Sequence, residues 1–241
     1  MGRTFENRRL QILKRGNRDS KAFTRASRQI SIAVRAGGTD PDGNSVLRRW
    51  IQNARAVNMP KDRIQAAIDK AAGVGDTAAY QEVLYEGYGP HGIAMLVSTA
   101  TDNPTRTVAN LRFTFKKENG NLGSTGSVSF MFDQFGMFRL DPEGLDRDEL
   151  ELELIDHSLE AIVDGMDDDG KSQLVLRCTR ENFGTLQAGL EAKKIAVVSS
   201  GFEWVAKTTT ELGEAESEAV LRLIDRLEQD DDVSEVFHNL E

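Results

Sequence analysis

The spacing of apolar residues changes near residue 75, and that change limits the folds open to this chain. Between Phe23 and Gly73 apolar residues recur every three or four positions, the spacing of amphipathic helices. From Thr77 onward they fall in short runs typical of strands. The first part therefore predicts a basic helical domain over residues 1–76, a three-helix bundle within an α+β protein.

The segment after the bundle predicts a middle α/β domain. Strand-like runs at 81–86 and 93–100 are separated by turn residues, and Pro104 suits the first turn of a helix. A strand is predicted at 128–132. A helix is predicted at 214–229 and a strand at 233–238. These two elements are too small to bury an apolar face alone, so we expect them to complete this domain.

The next segment predicts an inserted acidic domain at 135–206. Its order of strand, helix, two strands, helix and strand, closed by strands at 195–198 and 202–206, indicates a ferredoxin-like sandwich. The middle domain is then discontinuous, with residues 77–134 and 207–241. The protein would have a helical bundle and two α/β sandwich domains, the third inserted in the second.

The basic residues are concentrated in the predicted bundle. Residues 1–75 hold 16 Lys or Arg and 6 Asp or Glu, whereas residues 76–241 hold 14 and 33. Such asymmetry indicates that the basic part contacts nucleic acid or another acidic partner. On a helical wheel, five basic residues of the first helix share one arc opposite the apolar face. They are Arg18, Lys21, Arg25, Arg28 and Arg35.

Two further groups would extend this basic stripe. One lies at the outer edge of the second helix, and the other on a flexible arm predicted over residues 1–15 because Gly16 follows and apolar periodicity is missing. The alternative is a solvated helix face that binds nothing, since Lys and Arg are good helix formers. Few acidic residues lie three or four positions away, which favours phosphate contact. The added residues are Arg48 and Arg55, and Arg8, Arg9, Lys14 and Arg15.

A glycine-rich loop at 120–127 is the strongest candidate for a phosphate-binding loop. It runs from helix into strand, however, whereas phosphate loops run from strand into helix, so close packing is the favoured interpretation. Arg106, in the first turn of the preceding helix, either meets an anion or covers the sheet edge. Both alternatives stay open.

Several motifs together resemble the YebC/PmpR family over essentially the whole chain. They are Tyr-Glu-Gly-Tyr-Gly-Pro-His-Gly at 85–92, Asp-Asn-Pro-Thr-Arg-Thr-Val at 102–108, Gly-Asn-Leu-Gly at 120–123 with Gly-Ser-Val at 126–128, and, in the bundle, 37–41, Asn44, 47–48 and 58–62. The chain departs from the family at 2–6, where Gly-Arg-Thr-Phe-Glu replaces the usual Gly-His-Ser-Lys-Trp.

The resemblance implies a function that the residues alone do not. Members are described as probable transcriptional regulators that bind DNA, a mitochondrial relative activates translation of a cytochrome oxidase subunit, and bacterial members are linked to translation on the ribosome. Family members are similarly built from three domains with a discontinuous middle one. Tyr88, His91 and Arg106 lie in the motifs and are candidate contacts.

Catalysis is not expected. His91, His157 and His238 lie in separate segments, and no nucleophile-elbow, metalloprotease or kinase motif occurs. Cys178 is the single cysteine and is predicted to be core. The acidic runs at 167–169 and 230–232 are interpreted as solvated turns rather than a cation site, so neither a metal nor a cofactor is expected.

The sequence therefore predicts a non-enzymatic, cytoplasmic, nucleic-acid-binding regulator of gene expression. The leading form, which rests on the resemblance, is a DNA-binding transcriptional regulator. The alternative is a ribosome-associated translation factor that contacts RNA, and a third form is a scaffold whose bundle docks on an acidic protein. No apolar run approaches the roughly 20 residues of a membrane span. No small-molecule substrate is expected, and the oligomeric state stays open.

Overall fold

The computed structural model describes residues 3–73, 79–167 and 170–241, with the backbone alone described through residue 18. Across these ranges seven α-helices accompany eight strands in two four-stranded sheets, which confirms the predicted α+β class. The helices are α1 (Arg3–Gly37), α2 (Ser45–Ala56), α3 (Lys61–Ala72), α4 (Pro104–Lys117), α5 (Arg147–Leu154), α6 (Phe183–Ala192) and α7 (Glu214–Glu228). The strands are β1 (Gln81–Tyr88), β2 (Ala94–Thr101), β3 (Asn121–Leu122), β4 (Phe132–Leu140), β5 (Ala161–Met166), β6 (Ser172–Thr179), β7 (Val197–Ala206) and β8 (Val233–His238).

Helices α1, α2 and α3 enclose one apolar core, and a single buried asparagine joins the first two. The Asn44 amide donates to the carbonyls of Ala33 and Gly38 at 2.8 and 2.9 Å. Its oxygen accepts from the N–H of Leu47 at 3.0 Å, so Asn44 is the N-cap of α2. The core residues are Ala26, Ile30, Ala33, Val34, Leu47, Ala54, Met59, Ile64, Ile68 and Ala71.

The first sheet has the strand order β3-β1-β2-β8, so the last strand of the chain returns to the sheet that begins at Gln81. Short strand β3 pairs antiparallel with the end of β1, with Gly87 opposite Leu122 and Tyr88 opposite Asn121. A Cβ at Gly87 would lie 2.7 Å from the carbonyl oxygen of Asn121, so this close pairing requires glycine.

The second sheet has the order β5-β6-β4-β7, and its pairs are antiparallel. Along the chain, helix α5 follows β4 and helix α6 follows β6, which is the connectivity of a ferredoxin-like sandwich. Phe138 stacks on Phe183 with ring centroids 4.5 Å apart. The buried core comprises Phe138, Leu140, Leu150, Leu154, Leu159, Ile162, Leu174, Leu176, Cys178, Phe183, Leu186 and Leu190.

The chain divides into two compact units. The first unit comprises Met1–Leu84, Ser98–Asn110 and Arg226–Glu235, and the second comprises Tyr85–Val97, Leu111–Asp225 and Val236–Glu241. The domain bounds of 1–76, of 77–134 with 207–241, and of 135–206 stay a prediction. No helix in the described ranges is both long and apolar enough to cross a bilayer.

The prediction of a flexible arm over residues 1–15 is wrong for the backbone from Arg3 onward, because α1 is continuous from Arg3 to Gly37; residues 1 and 2 lie outside the described ranges. Gly16 does not interrupt it. A single glycine costs a helix only about 1 kcal/mol relative to alanine, and its neighbours Lys14, Arg15 and Arg18 favour helix.

Two strand predictions also needed correction. The predicted strand at 128–132 is a 3₁₀ turn at Ser129–Met131 followed by β4, because backbone N–H groups there donate to a buried carboxylate instead of a neighbouring strand. The two strands predicted at 195–198 and 202–206 are one strand, β7. It pairs with β4 along its length and absorbs a register shift between Arg139 and Leu140.

Candidate nucleic-acid interface

Five predicted contact residues lie where the structure describes the backbone alone. That backbone belongs to α1, so these residues follow one another at helical spacing. Their side chains lie outside the described part of the protein, and their contact with nucleic acid stays a prediction. They are Arg8, Arg9, Lys14, Arg15 and Arg18.

Farther along α1, two predicted contact residues use their guanidinium groups inside the protein. Arg25 donates from Nε to the carbonyl of Val233 at 3.0 Å and from Nη2 to that of Glu228 at 3.1 Å. Arg28 donates from Nη1 to the carbonyl of Ala100 at 3.0 Å, and its side chain is only 13% exposed. These bonds join α1 to the segment that leads into β8.

The centre of these contacts is the buried carboxylate of Asp232, which is 3% exposed. It accepts from Arg28 at 2.8 Å, Arg106 at 2.8 Å, Thr107 at 2.7 Å and Thr101 at 3.1 Å. Burial alone would raise the pKa of Asp232, but the bonds from Arg106 and Thr107 and the charges of both arginines hold this pKa below its ordinary value. We call these five residues the Asp232 cluster.

The Asp232 cluster corrects one sequence interpretation and informs another. Asp232 does not lie in a solvated turn, although it ends a run of three aspartates. Arg106 does meet an anion, but the anion is the protein's own Asp232 carboxylate. Arg106 also pairs with Asp102 at 2.8 Å. Sequence reasoning missed Asp232 because nothing local distinguishes a buried aspartate in such a run from a solvated one.

The remaining predicted contact residues of the bundle face solvent to different degrees. Lys21 is partly exposed, while Arg35, Arg48 and Arg55 are exposed. We call the last three the exposed bundle arginines. Helix α3 adds exposed basic residues that the sequence analysis did not select, namely Lys61, Arg63 and Lys70.

The motif residues Tyr88 and His91 lie in the second compact unit, whereas Arg106 lies in the first. The Tyr88 hydroxyl donates to the carbonyl of Ser127 at 3.2 Å, and the residue is 37% exposed. His91 adopts a left-handed backbone, with φ of 59°, and its Nδ1 lies 3.6 Å from the Glu216 carboxylate. The structure therefore does not bring the three motif residues together within one unit.

The glycine-rich loop binds a carboxylate of the protein itself. Glu86 is 4% exposed and accepts from the backbone N–H groups of Gly126, Val128 and Ser129 at 2.8, 2.8 and 2.9 Å. Burial would raise the pKa of Glu86, but the three N–H donors lower it overall. We call this arrangement the Glu86 nest. Its N–H groups are already occupied, in keeping with the close-packing interpretation of the loop.

Comparison with known proteins decides the family. Residues 3–74 match the TACO1/YebC protein N-terminal domain, and residues 80–240 match the TACO1/YebC second and third domain. The chain belongs to the TACO1/YebC family. Relatives from Myxococcus xanthus and Anaeromyxobacter dehalogenans are 56% and 55% identical over 240 residues, with full coverage of both chains, and both are named probable transcriptional regulatory proteins.

A solved crystal structure is also similar to this chain. The crystal structure of a conserved hypothetical protein from Aquifex aeolicus aligns with a TM-score of 0.81 and 32% identity, covering 92% of this chain and 90% of the other. The family match includes both halves of the Asp232 cluster, since Arg28 lies in the N-terminal match and the other four residues lie in the second.

The cysteine of this TACO1/YebC protein gives a first testable expectation. Cys178 is buried in the ferredoxin-like core, and burial raises the pKa of its thiol to about 11. Because the thiolate is the reactive form, we expect Ellman's reagent to label native protein at pH 8 at least 100-fold more slowly than protein unfolded in guanidinium. The variant C178S provides the blank, and labelling at equal rates would contradict the core assignment.

Proposed function

We propose that this TACO1/YebC protein is a non-enzymatic cytoplasmic regulator of gene expression that binds nucleic acid, DNA in the leading form, through its helical bundle. The observation that carries the proposal is the segregation of charge, with 16 basic and 6 acidic residues up to Gly75 and the reverse excess beyond it. The names of its relatives, probable transcriptional regulatory proteins, support the regulatory role.

The physical basis is phosphate contact. Lys and Arg that neutralise phosphates release condensed counterions, so binding weakens steeply as salt rises and depends little on base sequence. The acidic remainder of the chain repels phosphates and so confines contact largely to the bundle.

The contacts of the Asp232 cluster decide which arginines are useful in a test. Arg25 and Arg28 hold carbonyl oxygens and a carboxylate of the protein, so neutralising them would alter the fold as well as the surface. The exposed bundle arginines contribute less to the fold, because their side chains are exposed and the contact of Arg48 Nη1 with the Pro41 carbonyl is long, at 3.5 Å, and lies at the surface. They are the appropriate probe of the proposed interface.

Neutralising the exposed bundle arginines is expected to weaken nucleic-acid binding. The variant R35Q/R48Q/R55Q should lower affinity for a 20-base-pair duplex on the order of tenfold to 100-fold at low salt and reduce the slope of log K against log salt by about 3, since each lost phosphate contact removes about 0.9. Fluorescence anisotropy from 50 to 200 mM salt measures both quantities.

A matched control removes the same charge elsewhere. The control residues are Lys193, Lys194 and Lys207, which are exposed and lie in the second compact unit. The variant K193Q/K194Q/K207Q should bind the duplex like the wild type. Equal loss in both variants would indicate a net-charge effect. Unchanged binding by R35Q/R48Q/R55Q would refute the proposed interface.

The same bundle would serve a ribosome-associated translation factor, because RNA and DNA both present phosphates. Crosslinking in cells followed by sequencing separates the two: promoter DNA supports the transcriptional form, and ribosomal RNA supports the translational one. Recovery of neither, with an acidic protein crosslinked instead, would favour the scaffold.

A further inference from the structure

The second compact unit is acidic except in one segment. Residues 133–225 carry 22 acidic and 9 basic side chains, whereas residues 111–132 carry three basic side chains and one acidic. The three are Arg112, Lys116 and Lys117, all exposed on the last turns of α4. Within the described residues none of them pairs with a carboxylate within 4 Å, so this short face is a basic island on an acidic unit.

Exposed aromatic rings accompany these cations. Phe113, on the same helix, is 66% exposed, and the Lys117 ammonium lies 5.8 Å from its ring centroid. Phe130, in the 3₁₀ turn before β4, is also 66% exposed, and Tyr88 is 37% exposed. Single exposed apolar residues are common on proteins, but an exposed ring next to a cation, as Phe113 is to Lys117, is a more specific combination.

Close backbone approach and hydrogen bonds connect the elements that carry these rings. A Cβ at Gly120, just beyond α4, would lie 2.7 Å from the Tyr88 carbonyl oxygen, so the end of this helix passes close to Tyr88. The Tyr88 hydroxyl in turn binds the Ser127 carbonyl, and the Glu86 nest fixes the N–H of Ser129 next to Phe130. The rings are therefore mounted on elements held together within one unit.

We propose that this face binds single-stranded nucleic acid, in addition to the phosphate contacts of the bundle. Unpaired bases stack on exposed aromatic rings, and neighbouring cations hold the backbone, the combination that single-strand-binding grooves use. A duplex keeps its bases stacked internally and offers these rings nothing. We call the face the stacking surface: Tyr88, Arg112, Phe113, Lys116, Lys117 and Phe130.

The inference rests on the proposed nucleic-acid-binding function and adds a strand preference to it. An acidic protein would also be attracted to the three cations, but it would not need two phenylalanines exposed to water in the same compact unit. The stacking surface thus favours a ligand that has both planar faces and negative charge.

The test uses the full-length protein with two labelled probes, a 20-nucleotide oligothymidine and a 20-base-pair duplex. The variant F113A/F130A is expected to lose at least tenfold in affinity for oligothymidine, since loss of one stacked base corresponds to roughly fivefold to 100-fold, with less than a twofold change for the duplex. The variant K116Q/K117Q should weaken oligothymidine binding and reduce its salt slope.

The controls separate this inference from the proposed function. Leu152 and Leu221 are 77% and 50% exposed in the same unit, and L152A/L221A should bind both probes like the wild type. Unchanged oligothymidine affinity in F113A/F130A would overturn the stacking surface while R35Q/R48Q/R55Q still tests the bundle. Failure of the wild type to bind either probe would overturn both proposals. Circular dichroism verifies that each variant is folded.

Discussion

Replacing Asp232 by alanine is expected to lower the free energy of unfolding by about 3 kcal/mol, because removing one member of a buried ion pair leaves the other charge without compensation. Arg28 is the residue that bears this cost. Its side chain is 13% exposed, so water cannot readily replace the carboxylate, whereas the Arg106 side chain, at 47%, can turn to solvent. The hydroxyls of Thr101 and Thr107 lose their acceptor as well.

The effect should depend on pH in a defined direction. The pKa of Asp232 is lowered in the folded protein, so the contribution of the cluster is complete above the ordinary aspartate pKa of about 3.9 and is lost as pH falls through the lower folded-state value. The difference in stability between wild type and D232N should therefore be largest near neutral pH and shrink below about pH 4.

Urea unfolding followed by circular dichroism measures this difference, and Asp231 supplies the control. Asp231 is exposed, and only its backbone carbonyl accepts from Arg28, so D231A keeps that bond and should unfold within about 0.5 kcal/mol of wild type. If D232A were as stable as D231A at pH 7, the Asp232 cluster would not hold α1 to the segment before β8.

Helical periodicity alone was enough to predict helix α7 almost to the residue. Helix α7 was predicted over 214–229 and spans 214–228, because Val220, Leu223, Ile224 and Leu227 recur at three and four positions and are all buried. The strand at Val233–His238 was predicted with the observed bounds. Local patterns suffice where one apolar face decides the structure.

Prediction failed where a distant residue decides the structure. Val128 and Ser129 have a strand-like sequence, yet their N–H groups bind Glu86, more than 40 positions earlier for both residues. No pattern near 128–132 carries that information, since a glutamate on a predicted strand is ordinarily expected to face water.

The same limit applies to the candidate interface. Arg28 and Arg35 occupy one arc of the helical wheel, so sequence alone treats them as equivalent. The structure separates them, because Arg28 is covered by Asp232, 204 positions later, while Arg35 is exposed. A wheel describes one helix and cannot show which part of its face the rest of the chain covers.

The Glu86 nest gives the second large expected effect. Replacing Glu86 by alanine leaves three N–H donors without an acceptor, and the one at Val128 is buried. An unsatisfied buried donor costs about 1–3 kcal/mol, so we expect E86A to lose about 3 kcal/mol of stability, part of it regained where water reaches Gly126 and Ser129. The loop should also exchange its amide hydrogens faster.

Hydrogen exchange read by mass spectrometry distinguishes a local opening of this loop from global unfolding. Faster exchange in E86A should be confined to peptides spanning 120–131, and E151A, at an exposed glutamate of α5, should exchange like wild type.

Because the folded-state pKa of Glu86 is lowered, the nest stabilises the protein above the ordinary glutamate pKa of about 4.3, and the stability of wild type should approach that of E86A as pH falls below that value. Since Phe130 follows this loop, E86A should also weaken oligothymidine binding if the stacking surface exists. If E86A exchanged amide hydrogens at 120–131 as slowly as wild type does, the Glu86 nest would not be what holds the loop.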